Sequence, residues 1–304
     1  MRIAALGAGR MGRGIGLVFA YAGYRVDVVD FKPRPAAEAA RLRQAALEEI
    51  GATLSMLAAA GMLPESDRPK ILSRVRALSF DEAAEALGAA DVIFEGVTET
   101  LEAKRDAFQR ACQHAREDAI IASTTSSMLA DALAGLVSHP QRFINTHFLN
   151  PAYLIPLVEV SPAKATDEGT FRRMRALLES AGKVVVRCAP SPGFIVPRLQ
   201  AAAMNEAARL VEEGVATPED IDRAVRSGFG PRYEPPAIVE RLMSQGKRGA
   251  REGEGLYDWR GRDLAAYQRE LVGRYVALFS HLGLLPAPGA VDRLRGPGSE
   301  EEQA

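Results

Sequence analysis

The feature that most constrains the fold is a glycine-rich turn directly after the first apolar stretch of the chain. Residues 2–6 predict a short buried strand, and the chain then reads G-A-G-R-M-G-R-G-I-G. In such a G-x-G-x-x-G pattern the first glycine permits a tight turn, the second lets backbone approach a pyrophosphate, and the third lets a helix pack closely on the strand. We therefore predict a dinucleotide cradle formed by Gly7, Gly9, Arg10, Met11 and Gly12.

A second predicted strand, residues 24–29, ends in Asp30, eighteen residues beyond Gly12. A carboxylate at this position accepts hydrogen bonds from the ribose hydroxyls of adenosine. Its negative charge also repels the additional phosphate of NADP, so the expected cofactor is NAD. Lys32 and Arg34 follow closely, and their positive charges work against that preference.

Strands and helices alternate over the next part of the chain. An alanine-rich helical pattern over residues 35–63 predicts a helical hairpin inserted after the second strand. Further strands are predicted at residues 74–78, 91–97 and 119–122, with helices between them. This alternation predicts an α/β fold with a Rossmann-type, doubly wound parallel sheet.

Polar residues follow two of these predicted strands. Glu95, Glu99 and Lys104 follow the strand at 91–97, and the serines of S-T-T-S-S-M, including Ser126 and Ser127, follow the next one. Because the carboxyl ends of parallel strands line the ligand crevice of a doubly wound sheet, the two acids and the lysine are candidates for contact with the nicotinamide half of the cofactor. Helix capping is the alternative role for the two serines.

The stretch from residue 145 to 160 carries one histidine and one isolated acid, His147 and Glu159, among apolar residues. An unpaired carboxylate in a buried strand is costly, so we expect Glu159 to have a partner, and His147 is the obvious candidate. An imidazole held by a carboxylate is fixed in one tautomer and becomes a better proton acceptor, which suits a general base. The alternative is a core histidine satisfied by a backbone carbonyl.

Composition narrows the range of partners. The chain has 38 Lys and Arg against 39 Asp and Glu, so no overall field attracts nucleic acid or a membrane surface, and a small-molecule substrate is expected instead. The two cysteines, Cys112 and Cys188, do not have the spacing of metal ligands, so no metal is predicted. So few cysteines also suit a reducing compartment. No apolar run is long enough to span a bilayer, and we expect a cytoplasmic protein.

Several motifs together resemble the 3-hydroxyacyl-CoA dehydrogenase family. They are G-A-G-R-M-G-R-G-I, E-G-V-T-E with a lysine behind it, T-T-S-S, T-H-F-L-N-P followed by P-L-V-E-V, and S-P-G-F-I-V-P-R-L. Each is modest alone, but they occur in the family's order along nearly the whole chain. The resemblance implies an NAD-dependent enzyme of fatty acid metabolism that oxidises a short 3-hydroxyacyl-CoA, of the 3-hydroxybutyryl type, to the 3-oxoacyl-CoA.

The resemblance also assigns roles to particular residues. The family's catalytic base and its acid partner fall on His147 and Glu159. Its substrate-contacting serine falls on Ser126 and its helper asparagine on Asn150, and both are also cofactor positions. The other cofactor positions outside the glycine-rich turn fall on Asp30, Glu99, Lys104 and Arg251.

The sequence pattern changes in the second half of the chain. Proline and glycine follow Arg187, and helical patterns come next, so we predict a Rossmann domain over 1–187 and a smaller all-α domain for substrate and dimer contacts over 188–304. This domain lacks a helical segment that the family normally carries after Tyr233. We predict that a homodimer covers the shortened domain through the apolar residues Leu199, Ala203, Leu210, Val276 and Leu278.

Two other functions stay open. One is a dehydrogenase of a free 3-hydroxy acid of the gulonate or carnitine type, because the family usually has asparagine where this chain has Pro197, and proline offers no side-chain amide to a substrate. No clear basic cluster marks a site for the 3′-phosphate of CoA, for which the candidates are Arg41, Arg43, Arg68 and Lys70. The other function is non-catalytic dinucleotide binding, against which the joint presence of the four predicted catalytic side chains argues.

Overall fold

The computed structural model describes residues 1–228, 263–281, 285 and 288–289. The chain divides into two compact units, one formed by Met1–Ser191 with Leu271–Ala304 and the other by Pro192–Glu270. The division thus falls close to the boundary predicted at Arg187. The division differs from the predicted domains at the other end, since the chain from Leu271 onward groups with the first unit. A single helical domain over residues 188–304 stays a prediction.

The first unit is built on one sheet of eight strands. The strands are β1 (Arg2–Leu6), β2 (Arg25–Val29), β3 (Val75–Leu78), β4 (Val92–Glu95), β5 (Ile120–Ser123), β6 (Phe143–Phe148), β7 (Leu157–Pro162) and β8 (Val184–Arg187). Their order in the sheet is β3-β2-β1-β4-β5-β6-β7-β8, and every neighbouring pair is parallel except β6 with β7. The strand order reverses between β1 and β4, so the predicted doubly wound Rossmann fold is confirmed.

The described part of the chain contains ten α-helices. They are α1 (Arg10–Ala22), α2 (Ala36–Ala59), α3 (Arg68–Leu72), α4 (Ala83–Ala89), α5 (Leu101–His114), α6 (Ala130–Ala134), α7 (Glu168–Ser180), α8 (Val196–Glu212), α9 (Pro218–Gly228) and α10 (Leu264–His281). The prediction of a helical hairpin over residues 35–63 is wrong in its bounds, because this range contains one continuous helix, α2, of 24 residues. The second helix of the insertion, α3, has five residues and lies beyond that range. Elements described in the second unit are all helical, as predicted.

Helices cover both faces of the sheet, which explains why its strands read as continuous apolar runs rather than alternating ones. On one face Ala5 and Val28 pack with residues of α1, α2 and α7, and on the other Ala4 and Ile93 pack with residues of α4 and α5. Close packing of α1 depends on Gly16, where an added Cβ would lie 2.8 Å from a methyl group of Val28.

Helix α10 bears on the predicted dimer contact. Val272 and Val276 on this helix are buried within the core of the first unit. The prediction that Val276 supplies surface for a dimer contact is therefore wrong, because its side chain is already covered. The side chain of Leu278, named for the same role, lies outside the described residues.

None of the helices in the described part of the chain is long and apolar enough to cross a membrane. Within the same residues, no three histidine, cysteine or acidic side chains are grouped so as to hold a metal ion. Both cysteines are free thiols.

Candidate active site

The glycine-rich turn between β1 and α1 has the geometry that its sequence predicts. Gly7 has a φ of 95°, in the left-handed region, and a Cβ added there would lie 2.8 Å from the carbonyl oxygen of Gly96. A Cβ at Gly12 would lie 1.9 Å from the carbonyl oxygen of Gly7, so this position requires glycine if α1 is to start so close to β1. A Cβ at Gly9 would meet nothing within 4 Å, so the turn is open on that side.

A cavity of about 350 Å³ opens beside this turn. Gly7, Gly9 and Asp30 line it, together with Gly96 at the end of β4. Of the other predicted cradle residues, Arg10 is exposed, while Gly12 packs beneath the turn against Gly7. Met11 packs against Gly96. The open backbone at Gly9, the N-terminus of α1 behind it and an acid across the cavity fit the pyrophosphate and ribose of a dinucleotide.

Asp30 does not face the cavity alone. It is 9% exposed, and its Oδ2 accepts a hydrogen bond from Nε of Arg34 at 2.5 Å. Nη1 of Arg34 donates to Oε1 of Glu38 at 2.7 Å. The hydrogen bond to Asp30 and the two negative charges raise the pKa of Arg34 against the opposing effect of burial. Arg34 and the exposed Lys32 also line the cavity.

Arg13 belongs to this region although the sequence did not point to it. Its Nη1 donates to the carbonyl oxygen of Ala8 in the glycine-rich turn at 2.6 Å, and its Nη2 pairs with Glu49 of α2 at 2.6 Å. Arg13 therefore ties the turn to the inserted helix. The sequence does show that Arg13 stands four residues after Gly9. From there a long side chain on α1 can reach back over the glycine-rich turn.

Lys104 lies inside the protein beneath the crevice. Its Nζ is 2.9 and 3.0 Å from the two carboxylate oxygens of Glu95 and 3.0 Å from Oε2 of Glu99, and its side chain is 1% exposed. Ser123 of β5 donates to Glu95 at 2.7 Å. The lysine thus joins the ends of neighbouring strands to the loop before α5. Its predicted direct contact with the cofactor stays a prediction.

Glu99 organises the loop after β5. It accepts hydrogen bonds from Thr125 Oγ1, from the backbone N–H of Ser126 at 3.1 Å and from Ser127 Oγ at 3.0 Å. Burial disfavours the charged form of Glu99, but the Thr125 hydroxyl and the Lys104 ammonium outweigh that effect and lower its pKa. Thr125 was not singled out from the sequence, although it is part of the T-T-S-S motif.

The serines of this loop do not cap the helix that follows. Helix α6 begins at Ala130, and its N-cap is Leu129, with no side-chain capping bond. Instead Ser127 contacts Glu99, and the exposed Ser126 contacts a histidine across the crevice.

That histidine, His147, connects the two halves of the predicted catalytic group. His147 on β6 lies directly opposite Glu159 on β7 in the antiparallel register. Its Nδ1 is 2.8 Å from Oε2 of Glu159, and its Nε2 is 3.1 Å from Oγ of Ser126. Glu159 is fully buried and the His147 side chain is 5% exposed. Of the two partners considered for His147 from the sequence, a carboxylate and a backbone carbonyl, the structure places the carboxylate of Glu159 on Nδ1.

Asn150 lies on the turn after β6, where it is exposed and precedes a cis peptide bond to Pro151. The same turn is held from below by Lys183, whose Nζ donates to the carbonyl oxygens of Ala152 at 2.6 Å and Ile155 at 3.0 Å. Burial lowers the pKa of Lys183 to about 7. Lys183 was not anticipated from the sequence, in which nothing distinguishes it from a surface lysine.

The remaining predicted residues divide into two groups. Arg251 and the shortening after Tyr233 lie outside the described residues. Of the basic residues considered for a CoA phosphate, Arg43 pairs with Glu82 at 2.8 Å and Arg68 pairs with Glu65. Arg41 and Lys70 are exposed on α2 and α3.

Comparisons with known proteins identify the family of the chain. The family model described as "3-hydroxyacyl-CoA dehydrogenase, NAD binding domain" matches residues 2–191, and that described as "3-hydroxyacyl-CoA dehydrogenase, C-terminal domain" matches residues 193–236. The 3-hydroxybutyryl-CoA dehydrogenase of Bradyrhizobium diazoefficiens is 31% identical over 290 residues, which cover 86% of this chain and 96% of that protein.

Two solved structures are also similar to the chain. FadB2 of Mycobacterium tuberculosis is 30% identical, with a TM-score of 0.75, and the match covers 84% of this chain and 98% of that one. The 5-formyl-3-hydroxy-2-methylpyridine 4-carboxylic acid 5-dehydrogenase, named as an NAD-dependent dismutase, is 26% identical with a TM-score of 0.77. This second match covers 93% of this chain and 98% of that one.

Proposed function

The chain belongs to the 3-hydroxyacyl-CoA dehydrogenase family of NAD-dependent oxidoreductases, and we propose that it oxidises a short 3-hydroxyacyl-CoA of the 3-hydroxybutyryl type with His147 as the general base. The observation that carries this proposal is the position of His147 between a buried carboxylate, 2.8 Å from Nδ1, and a hydroxyl, 3.1 Å from Nε2. The names of the curated relatives support an acyl-CoA substrate.

The residues present supply the proton chemistry of this reaction. NAD, when bound, accepts the hydride. With a proton on Nδ1 donated to Glu159, Nε2 of His147 carries the lone pair that removes the proton of the substrate hydroxyl. Glu159 then stabilises the imidazolium that forms and keeps the ring in position, as the acid does in a hydrolase triad. In the reverse direction the imidazolium returns the proton to a 3-oxo substrate.

Ser126 and Asn150 have supporting roles in the proposal. Ser126 Oγ is already within hydrogen-bond distance of Nε2, so a substrate oxygen that reaches the base also meets this hydroxyl. Asn150 is exposed on the turn that follows β6 and is available to a substrate or cofactor group there. Hydrogen bonds from such groups stabilise the oxygen on which charge develops.

The cofactor is held, in the same proposal, by the turn at Gly7 and Gly9 and by Asp30. Glu99 and Lys104 have two roles in the proposal. They fix the loop on which Thr125 and Ser126 lie, and they make the predicted contacts with the cofactor. Arg251, assigned by the resemblance, completes the set of predicted cofactor residues.

A dehydrogenase of a free hydroxy acid is the second candidate. The pyridine carboxylic acid dehydrogenase, whose name contains no CoA, matches this chain with a TM-score of 0.77 over 93% of its length. Pro197 near the start of α8 also replaces the family's usual amide. In addition, two of the four basic residues considered for the CoA phosphate are engaged in ion pairs.

The experiment that separates these functions follows NADH oxidation at 340 nm with acetoacetyl-CoA and with a panel of free 3-oxo acids. The proposal expects kcat/KM for acetoacetyl-CoA to exceed that for every free acid. A free acid that reacts faster would establish the second candidate. Binding of NADH without turnover of any substrate would establish a non-catalytic dinucleotide-binding protein.

We also propose a homodimer built on helix α8. Leu199 on this helix is 61% exposed, Ala203 is exposed and Leu210 is half-buried, so the helix offers an apolar strip to a second copy. Light scattering of the purified protein should give twice the chain mass of 32.7 kDa. A monomer at all concentrations would contradict this. The cytoplasmic location stays a prediction from the sequence.

A further inference from the structure

The surroundings of Asp30 bear on which form of the cofactor the site accepts. A free carboxylate at the end of β2 favours NAD because it accepts the ribose hydroxyls and repels a 2′-phosphate. In this chain, Arg34 lies against that carboxylate, with Nε 2.5 Å from Oδ2. The negative charge that would exclude the phosphate is therefore compensated by a fixed positive charge in direct contact with it.

Arg34 retains hydrogen-bonding capacity while it holds Asp30. Its bond to Asp30 uses Nε and its bond to Glu38 uses Nη1. A guanidinium has five N–H donors, so the two hydrogens on Nη2 stay available for another oxygen. The side chain is 27% exposed, and it lines the same cavity as Gly7 and Gly9. A phosphate in that cavity can be bound without breaking the contact between Arg34 and Asp30.

The charges around this part of the cavity balance. The charged side chains that line the cavity are three positive and three negative, so the lining carries no net charge; they are Arg13, Lys32 and Arg34, and Asp30, Glu49 and Asp106. Lys32 is exposed and also lines the cavity. A phosphate dianion beside Lys32 and Arg34 meets two cations, and Nη2 of Arg34 offers N–H donors to its oxygens.

We propose that Arg34 determines the cofactor selectivity of this enzyme and admits NADP as well as NAD to the site. The proposal rests on the proposed function only in using the same cofactor site. NAD remains a cofactor because Asp30 keeps a carboxylate oxygen for the ribose hydroxyls. Arg34 lowers the cost of the additional phosphate by compensating Asp30 and by binding the phosphate through its remaining donors.

The test is a fluorescence titration of the full-length protein with NADH and with NADPH, in the absence of any substrate. For the unmodified protein the two dissociation constants should agree to within about tenfold, since each tenfold corresponds to about 1.4 kcal/mol. In Arg34→Gln, the dissociation constant of NADPH should rise by about tenfold or more, while that of NADH changes by less than about threefold. Arg34→Lys keeps the positive charge and should restore part of the NADPH affinity.

The control variant has the same change in net charge as Arg34→Gln, at a position away from the cofactor site. Arg25 is exposed at the start of β2, at the opposite end of the strand from Asp30, so Arg25→Gln should leave the ratio of the two dissociation constants unchanged. The retained NADH affinity of Arg34→Gln shows that this variant is folded.

Three results would overturn the proposal. They are NADPH binding more than about tenfold weaker than NADH in the unmodified protein, equal weakening of both cofactors in Arg34→Gln, and an unchanged NADPH affinity in that variant. Failure of the proposed function gives a different result. A protein that binds NADH but turns over no acyl-CoA leaves this titration intact, whereas one that binds neither cofactor contradicts both proposals.

Discussion

Oε2 of Glu159 lies 2.8 Å from Nδ1 of His147, directly across the antiparallel pair of strands β6 and β7. Because two strands of a sheet fix both backbones, the orientation of the imidazole is set by the rigid part of the fold rather than by a loop. The carboxylate is fully buried, so its interaction with the ring is weakly screened by water.

Glu159→Gln keeps the size of the side chain and removes its charge. We expect kcat with acetoacetyl-CoA to fall by about tenfold to a hundredfold, because the imidazolium loses its stabilising partner. The dissociation constant for NADH, measured by fluorescence, should stay within about threefold of the original value, since Glu159 is not part of the predicted cofactor cradle. Glu168→Gln, an exposed acid on α7, is the matched control and should leave kcat unchanged. An unchanged kcat in Glu159→Gln would show that the carboxylate has no role in the reaction.

Glu99→Gln tests the loop that presents Ser126. The lowered pKa of Glu99 means that its contribution to stability is present above the ordinary carboxyl pKa and is lost as the pH falls through the value in the folded protein. At pH 7 we expect a loss of about 1 kcal/mol in unfolding free energy, after a discount for the partial exposure of the carboxylate. The measurement is urea unfolding at pH 7 and at pH 4.

The stability gap between the original protein and Glu99→Gln should narrow at pH 4. Glu102→Gln supplies the control, because this acid is exposed in the first turn of α5. A gap that is equally large at both pH values would mean that the charge of Glu99 does not stabilise the loop.

Lys183→Met tests the buried lysine below the turn that carries Asn150. Burial lowers the pKa of Lys183 from 10.5 to about 7, so between these values the unfolded chain binds more protons than the folded one. The contribution of Lys183 to stability must therefore rise with pH over this interval. The unfolding free energy of the original protein, relative to Lys183→Met, should increase by about 2 kcal/mol between pH 7 and pH 9.

Chemical unfolding at several pH values measures this difference. Lys164→Met, at an exposed lysine, should show no such dependence. A constant difference between the original protein and Lys183→Met from pH 7 to pH 9 would mean that Lys183 titrates alike in both states.

Much of the fold was predictable because its signals are local. The glycine spacing from Gly7 to Gly12, the acid at the end of β2 and the apolar strands each lie within a short piece of chain, and each imposes a backbone or burial requirement that sequence displays directly. The pairing of His147 with Glu159 was also predictable, because a lone acid in a buried strand needs a partner. The antiparallel register that joins the two residues is a property of the whole sheet.

Contacts between distant elements were not predictable in the same way. Arg13 meets Glu49 only because the inserted helix α2 packs beside the glycine-rich turn. Lys104 is enclosed because β4 and β5 bring Glu95 and Ser123 together beneath it. The burial of such a charged side chain cannot be predicted from the residues next to it in the sequence, because its partners come from other elements.

The role of His147 as general base is tested by His147→Gln in steady-state oxidation of NADH with acetoacetyl-CoA, with NADH binding measured alongside. His114→Gln, at an exposed histidine near the end of α5, is the matched control and should behave like the original protein. We predict that kcat of His147→Gln falls by about a hundredfold or more while the dissociation constant for NADH stays within about threefold. A kcat within about fivefold of the original value, in a variant that binds NADH normally, would show that His147 is not the general base.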